Sequence, residues 1–137
     1  MRTILLIGED AQLLQSRAVL LSKTHAQVLA AATSEIGPTA GNHAVDLVVL
    51  CHSLWPGVRP LVAAEVRRRW PGVCVIQILK SEFESEAAAR YADHIVIAGD
   101  PAMLIHKANE LLNAPQNLNV QRAPQSCGQT GSPKIAS

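Results

Sequence analysis

The sequence lacks long apolar runs and a strong charge of either sign. Its apolar stretches, such as Ile4–Ile7 and Leu47–Cys51, are no longer than five residues, whereas a membrane helix needs about 20 apolar residues. The stretch near the N-terminus is also too short for the apolar part of a secretory signal. The formal net charge is +1, and a near-neutral chain has little electrostatic attraction for nucleic acid. We therefore expect a cytoplasmic protein whose partners are neither membranes nor nucleic acids.

Cysteines are few and do not form a sequence motif. The chain has Cys51, Cys74 and Cys127, and no two of them have the CxxC spacing of zinc sites and redox motifs. Cys74 falls within a predicted core strand. Cys51 directly follows an apolar run, which predicts a position at the edge of a sheet, where α/β proteins place ligands and chemistry.

What the sequence does have is five short apolar runs separated by helical patterns. Runs without polar alternation are typical of parallel strands that are covered on both faces. We predict strands at Ile4–Ile7, Ala26–Ala31, Leu47–Leu50, Val73–Ile78 and Ile95–Ile97. Strands alternating with helices over residues 1–113 predict one α/β domain, a three-layer doubly wound sheet of five parallel strands with right-handed crossovers.

Helix signals are strong at both ends of this domain. Asp10 is a good N-cap for the first helix. Asp100 and Pro101 open the last helix, whose apolar stripe is Leu104, Ala108, Leu111 and Leu112.

The middle of the domain gives weaker helix signals. Crowded glycine and proline residues between Thr33 and Val45 predict a short or irregular helix. A helix from Pro60 to Trp70 is expected to bury Leu61, Val62 and Val66, and another is expected from Ser81 to Tyr91. From residue 114 onward, proline and small polar residues dominate, which predicts a disordered tail over 114–137.

Three segments of the sequence resemble the receiver domain of two-component response regulators. They are Ile4–Asp10, Asp46–Leu50 and Ala92–Val96. The resemblance implies a flavodoxin-like order of five parallel strands. It also implies a site that accepts a phosphoryl group on an aspartate after strand three, with Mg²⁺ held by acids after strand one.

The positions that carry this chemistry in the family are changed here. The phospho-acceptor position is Cys51, and the acidic pair falls on Gly8 and Glu9, with Asp10 following. The switch positions and the lysine position fall on Leu79, Ile95 and Ala98. Acyl-phosphate formation needs a carboxylate nucleophile, a metal and a cation on the transferred oxygens. The resemblance therefore implies a degenerate pseudo-receiver with no catalytic residue and no required cofactor, with weak residual Mg²⁺ binding at Glu9 and Asp10 as an alternative.

Cys51 could itself carry chemistry, as a redox sensor or catalytic thiol. Reactive cysteines have a lowered pKa, whereas Glu9 and Asp10 should raise it. His52 should point to the opposite face as a strand neighbour, so it is badly placed as a base. We therefore favour a half-buried structural thiol, and the thiol sensor or enzyme and a Cys51–His52 metal site stay as alternatives.

The function that these residues favour is a stand-alone signalling module that works through protein contacts without phosphorylation and is not an enzyme. Its partner is a protein, and a second copy of the chain is one alternative. In the receiver family, the surface of the fourth helix, fifth strand and last helix mediates such contacts. The residues expected there are Glu84, Ala88, Tyr91, Ile95, Ile97, Leu104, Lys107 and Ala108.

Overall fold

The computed structural model describes residues 2–113, and the predicted tail at 114–137 lies outside them. Its core is a single sheet of five parallel strands in the order β2-β1-β3-β4-β5. The strands are β1 (Thr3–Ile7), β2 (Gln27–Ala31), β3 (Leu47–Leu50), β4 (Cys74–Leu79) and β5 (His94–Ile97). This arrangement confirms the predicted α/β fold and its flavodoxin-like strand order.

Within residues 2–113, five α-helices connect and cover the strands. They are α1 (Ala11–Leu21), α2 (Ile36–Ala40), α3 (Arg59–Arg69), α4 (Ser85–Ala88) and α5 (Pro101–Leu112). Asp10 caps α1, since its Oδ1 accepts from the backbone N–H groups of Gln12 and Leu13 at 3.0 and 3.1 Å. No helix within residues 2–113 is long and apolar enough to cross a bilayer.

The core lies on both faces of the sheet, as two apolar clusters. Alternate residues of each strand point to opposite faces, so Ile4, Leu6 and Val49 belong to one cluster while Leu5 and Val48 belong to the other. Both faces of β1, β3 and β4 are buried. That burial explains why these strands appear in the sequence as unbroken apolar runs.

The ends of the domain follow the sequence prediction. The four apolar positions of α5 are all buried: Leu104, Ala108, Leu111 and Leu112. In the middle, α2 is only five residues long and ends at Gly41, whose φ is 53°. The short helix predicted between Thr33 and Val45 is therefore confirmed.

Two helix predictions were wrong. Leu61 was expected to be buried but is 68% exposed, because the buried positions of α3 are Arg59, Val62, Ala63 and Val66, and Leu61 lies off that stripe. The helix expected from Ser81 to Tyr91 is a 3-10 turn at Glu82–Glu84 followed by the four-residue α4. The chain after Ala88 turns instead of continuing, since Ala92 N–H bonds back to the Ala88 carbonyl at 2.9 Å and Asp93 N–H bonds to Val75 in β4.

Two aspartates connect the starts of neighbouring strands. Asp46 precedes β3, and its Oδ2 accepts from the N–H of Thr3 in β1 at 2.8 Å. Asp93 precedes β5, and its Oδ2 accepts from the N–H of Val75 in β4 at 2.8 Å. Each carboxylate bonds a backbone donor at the amino end of the adjacent strand, which fixes the strand register at that end.

Candidate functional site at the carboxyl edge of the sheet

Three strands of the sheet deliver the candidate site residues to one edge, β1 and β3 as neighbours and β5 beyond β4. Gly8 follows β1, Cys51 follows β3 and Ala98 follows β5, and the carboxyl ends of parallel strands meet at the same edge of the sheet. Cys51 N–H bonds to the Ile7 carbonyl at 2.9 Å, and Ala98 N–H bonds to the Leu79 carbonyl at 2.7 Å. The structure therefore brings together the positions at which the chain departs from the receiver pattern.

Cys51 is fully buried and packs in the core between the sheet and the helices α1 and α5. Burial raises the pKa of its thiol; Arg17 opposes that rise and the Asp10 carboxylate adds to it. The predicted carboxylate effect is thus present for Asp10 but smaller than desolvation. The thiol was expected to be half-buried, and the structure corrects this to complete burial.

Gly8 and Cys51 form one packing unit. A Cβ atom at position 8 would lie 2.9 Å from the Cβ of Cys51 and 2.9 Å from the Oγ of Ser53. Such distances are shorter than carbon contacts allow, so only glycine fits against Cys51 and Ser53 in this arrangement. An acidic side chain at position 8 is incompatible with this packing.

Arg17 reaches this edge from α1. Side chains on a helix lean toward its N-terminus, so Arg17 extends from the second turn of α1 back toward the strand ends. Its Nη2 lies 3.4 Å from Nδ1 of His52. Its Nη1 is buried and has no hydrogen-bond partner within residues 2–113.

His52 lies in a positively charged environment. Burial lowers its pKa, and the nearby charges of Arg17, Lys80 and Arg59 lower it further, while Asp10 opposes them. The ring is therefore neutral near pH 7, and Nδ1 accepts from Arg17 because a guanidinium only donates. His52 was expected to point away from Cys51, as neighbours on a strand do. However, β3 ends at Leu50, so both residues lie beyond the strand, and the charge of Arg17 affects the pKa of both side chains.

The two predicted metal ligands, Glu9 and Asp10, are engaged elsewhere. The Oε2 of Glu9 accepts from the N–H and the Oγ1 of Thr33, at 3.1 and 2.6 Å. Asp10 serves as the N-cap of α1. Within residues 2–113 no three His, Cys, Asp or Glu side chains are grouped as a metal site would need. Weak Mg²⁺ binding at this pair stays a prediction.

Gln77 is a buried polar residue that connects β3, β4 and the segment after α4. Its Nε2 donates to the carbonyls of Leu50, Cys51 and Ile78 at 3.2, 3.4 and 2.8 Å. Its Oε1 accepts from the hydroxyl of Tyr91 at 2.9 Å. The site assignment from sequence did not include Gln77, although a lone amide within the apolar run of β4 was the available signal.

Arg59 fixes the loop that follows Cys51. This side chain is buried, and it donates from Nε to the Leu54 carbonyl and from Nη2 to the His52 carbonyl, both at 3.0 Å. Its Nη1 pairs with the Glu84 carboxylate at 3.2 Å. No local sequence pattern marks this role, because the partners are carbonyl groups of a loop.

The predicted contact surface is smaller than expected. Glu84, Tyr91, Ile95, Ile97 and Lys107 are partly exposed. Ala88, Leu104 and Ala108 are buried in the core, because the inward faces of α4 and α5 carry them, so these three residues were wrongly assigned to the surface. Leu79 is the buried last residue of β4.

The short α4 leaves part of β5 uncovered. Val96 points to the α1–α5 face and is buried, whereas Ile95 and Ile97 point to the other face and stay partly exposed. A one-turn helix cannot cover a four-residue strand, so an apolar strip at the edge of the sheet faces outward. We refer to Ile95, Ile97 and Tyr91 as the β5 strip.

Comparison with solved structures gives the same fold. The chain is similar to a CheY-like receiver domain protein from Methanospirillum hungatei (20% identity, TM-score 0.69, 86% of this chain and 98% of that chain). It is also similar to a response regulator receiver domain protein from Clostridium thermocellum (20%, 0.67, 86% and 99%). A third is the response regulator TrrA from Thermotoga maritima, solved with Mg²⁺ and BeF (20%, 0.66, 81% and 99%).

No protein-family model and no curated protein sequence matches the chain significantly. At 20% identity, the structural matches establish the receiver fold.

Proposed function

We propose that the chain is a receiver-fold signalling module that acts through protein contacts and does not pass on a phosphoryl group. The observation that supports this most directly is the packing of Gly8 against Cys51. Glycine and a buried thiol occupy the positions where the resemblance implies a metal-binding acid and the phospho-acceptor aspartate. A buried thiol supplies no carboxylate for an acyl phosphate.

The electrostatics of the edge support the same proposal. A phosphorylated aspartate needs a divalent metal to neutralise its charge. Here Glu9 bonds to Thr33, Asp10 caps α1, and the cation that acts on Cys51 is Arg17 from α1. Ala98, at the position where the resemblance implies a lysine, offers no cation for the transferred oxygens.

The surroundings of Cys51 do not favour the alternative function, a redox sensor or enzyme that uses this thiol. A reactive cysteine is exposed and has a lowered pKa. Cys51 is buried and its pKa is raised.

The β5 strip supports a protein contact at the expected face. Ile95 and Ile97 are apolar and partly exposed, and they belong to β5 at the edge of the sheet. Protein interfaces have an apolar centre of this kind.

Two measurements test the proposal. Intact mass spectrometry after incubation with acetyl phosphate and Mg²⁺ should show no phosphoryl adduct, and a stable adduct would overturn the phosphorylation-independent part. For the contact surface, the tagged chain is used to capture proteins from an extract of its source cells, as wild type and as Ile95→Glu. We expect the specific partner to be lost with this variant.

Leu61→Glu is the matched control, because Leu61 is 68% exposed on α3 and lies outside the β5 strip. If the partner still binds to Ile95→Glu but not to Leu61→Glu, the contact surface lies on α3 and not at the β5 strip. Thermal unfolding of both variants separates a lost contact from a lost fold.

A further inference from the structure

A groove of about 340 Å³ lies between the start of α3, with the loop before it, and the segment that carries α4. The ion pair between Arg59 and Glu84, at 3.2 Å, connects its two walls. The other walls are mostly small or rigid apolar side chains: Pro56, Pro60, Ala87 and Ala88. All of these except Ala88 are exposed, so the groove is accessible to another molecule.

Three of the four aromatic residues of the chain lie at this groove. Tyr91 lines it. On one wall, Trp55 directly precedes the lining residue Pro56, and on the other wall Phe83 directly precedes Glu84. Phe83, at 97%, and Trp55, at 75%, are the most exposed large apolar side chains within residues 2–113. Exposed apolar side chains that are grouped in this way are typical of an interaction site.

Trp55 differs from Trp70, although both begin a Trp-Pro-Gly-Val segment. Trp70 packs against the core, and its indole N–H donates to the carbonyl of His43 at 3.1 Å. The indole N–H of Trp55 has no hydrogen-bond partner within residues 2–113. It is therefore available to donate to a carbonyl of a bound molecule.

Aromatic side chains with a free indole N–H fit a proline-rich segment in the polyproline II conformation. Such a segment has no internal hydrogen bonds, so its carbonyls can accept from outside donors. It binds to grooves lined by aromatic side chains, and it loses little conformational entropy because it is already extended. The groove between α3 and α4 offers both the rings and the donor.

Arg90 indicates the charge that the segment should carry. Three charged side chains line the groove, and two of them, Arg59 and Glu84, pair with each other. Arg90 is exposed and makes no ion pair within residues 2–113. Glu82 and Glu86 are exposed on the same segment but do not line the groove. The unpaired charge of the lining is therefore positive, and a carboxylate in the bound segment complements it.

We propose that the protein partner presents a proline-rich segment with an acidic residue, and that this segment lies in the groove against Trp55 and Tyr91 with its carboxylate on Arg90. The proposal rests on the proposed function, because Tyr91 belongs to both the groove and the β5 strip. It adds the chemistry of the partner at that surface.

Two-dimensional ¹H–¹⁵N NMR of the full chain tests the proposal with the synthetic peptide acetyl-PPPPPE-amide as the probe. The chain has two tryptophans, so its spectrum has two indole N–H signals, which Trp55→Phe assigns. We expect a saturable shift of the Trp55 signal and no shift of the Trp70 signal. The peptide acetyl-PPPPPQ-amide should bind about two- to fivefold more weakly, as the loss of an exposed ion pair predicts.

Arg90→Gln should remove this difference between the two peptides. Trp55→Ala should weaken the binding of both about tenfold, as the loss of an aromatic anchor predicts, with the amide of Tyr91 as the reporter. Val19→Ala is the matched control, because Val19 is 63% exposed on α1 and does not line the groove. The comparison of the two peptides on wild type keeps the test decisive if a variant does not fold.

The proposal is overturned if the Trp55 signal does not shift, if both indole signals shift alike, or if the two peptides bind equally to the wild-type protein. Shifts of the Trp55 signal with protein concentration, in the absence of peptide, would assign the groove to a second copy of the chain and would also overturn it.

The failure of this proposal can be told apart from the failure of the proposed function. If neither peptide binds but the captured partner is still lost in Ile95→Glu, the proline-rich segment is wrong and the contact at the β5 strip stands. If the peptides bind as expected but the partner is still captured by Ile95→Glu, the groove stands and the assignment of the β5 strip is wrong.

Discussion

The hydroxyl of Tyr91 donates a hydrogen bond of 2.9 Å to the amide oxygen of Gln77, the fully buried side chain at the centre of β4. The same amide donates from its nitrogen to carbonyl groups at the end of β3. The segment after α4 is therefore connected through a single side chain to the strand that ends at Cys51. Because the amide is buried, each of its polar atoms depends on these partners.

Tyr91→Phe should destabilise the protein by about 1–2 kcal/mol, because it leaves the Gln77 oxygen buried without a donor. Urea unfolding followed by circular dichroism measures the change. A double-mutant cycle with Gln77→Met supplies the control: with the amide absent, the hydroxyl has lost its acceptor, and the cost of Tyr91→Phe should fall by at least about 0.5 kcal/mol. Additive costs would show that the bond does not contribute to stability.

Gly8→Ala should destabilise the fold by roughly 1–3 kcal/mol, since the new methyl group would overlap the side chains of Cys51 and Ser53. Gly57→Ala is the matched control, because no atom lies within 4 Å of a Cβ built there. Thermal unfolding of the two variants compares them directly. Equal melting temperatures would contradict the packing unit of Gly8 and Cys51.

Cys51 should react slowly with iodoacetamide in the folded protein near neutral pH. The thiol is buried and its pKa is raised, so both access and the thiolate fraction are low. Peptide mapping after timed labelling, in buffer and in guanidinium chloride, gives the rate at this residue. Labelling in buffer as fast as in denaturant would restore the thiol-sensor hypothesis.

Stability should decrease as the pH falls below the ordinary pKa of histidine, and His94 should contribute to that decrease. Burial lowers the pKa of His94, the charge of Lys107 lowers it further, and Asp93 and Glu110 oppose the change. Its Nε2 is also buried without a hydrogen-bond partner in the described part of the chain. The unfolded chain therefore takes up the proton more readily, so the contribution of His94 is present above its unfolded pKa and is lost as the pH falls through the folded value.

His94→Gln should remove this contribution, which is at most about 1.4 kcal/mol per pH unit for one proton. Urea unfolding between about pH 7 and about pH 5 measures it, with the exposed His106 mutated to Gln as the control. A pH dependence unchanged from wild type in His94→Gln would refute the assignment.

The fold could be predicted from the sequence because a strand that is buried on both faces appears as an unbroken run of apolar residues. β1 and β3 are unbroken apolar runs, and their positions were predicted to within one residue. The buried positions of α5 could be predicted equally well, since its apolar residues recur with the period of a helix. The length of α4 could not be predicted from the sequence. Its glutamate and alanine residues favour a helix, whereas the turn after Ala88 depends on a hydrogen bond between Asp93 and β4.

The candidate site could be predicted only in part, because some of its contacts join residues that are far apart in the sequence. Cys51 was recognised from its place after β3, but Arg17 lies 35 residues away along the chain from the His52 that it contacts. Such a contact depends on how α1 packs on the sheet, and no local pattern records it. Arg59 is similar, since its partners are the loop carbonyls of His52 and Leu54.

The strand order also determines when each part of the sheet can form during synthesis. β1 pairs with β2 on one side and with β3 on the other, and Ile4 lies opposite Leu47. β1 leaves the ribosome before its partners and thus keeps one open edge until more than forty further residues have followed it, whereas β4 and β5 each add to a neighbour already in place. Pairing across so long a loop is slow, so the nascent chain is most exposed to misassociation through β1 in the interval before β3 emerges.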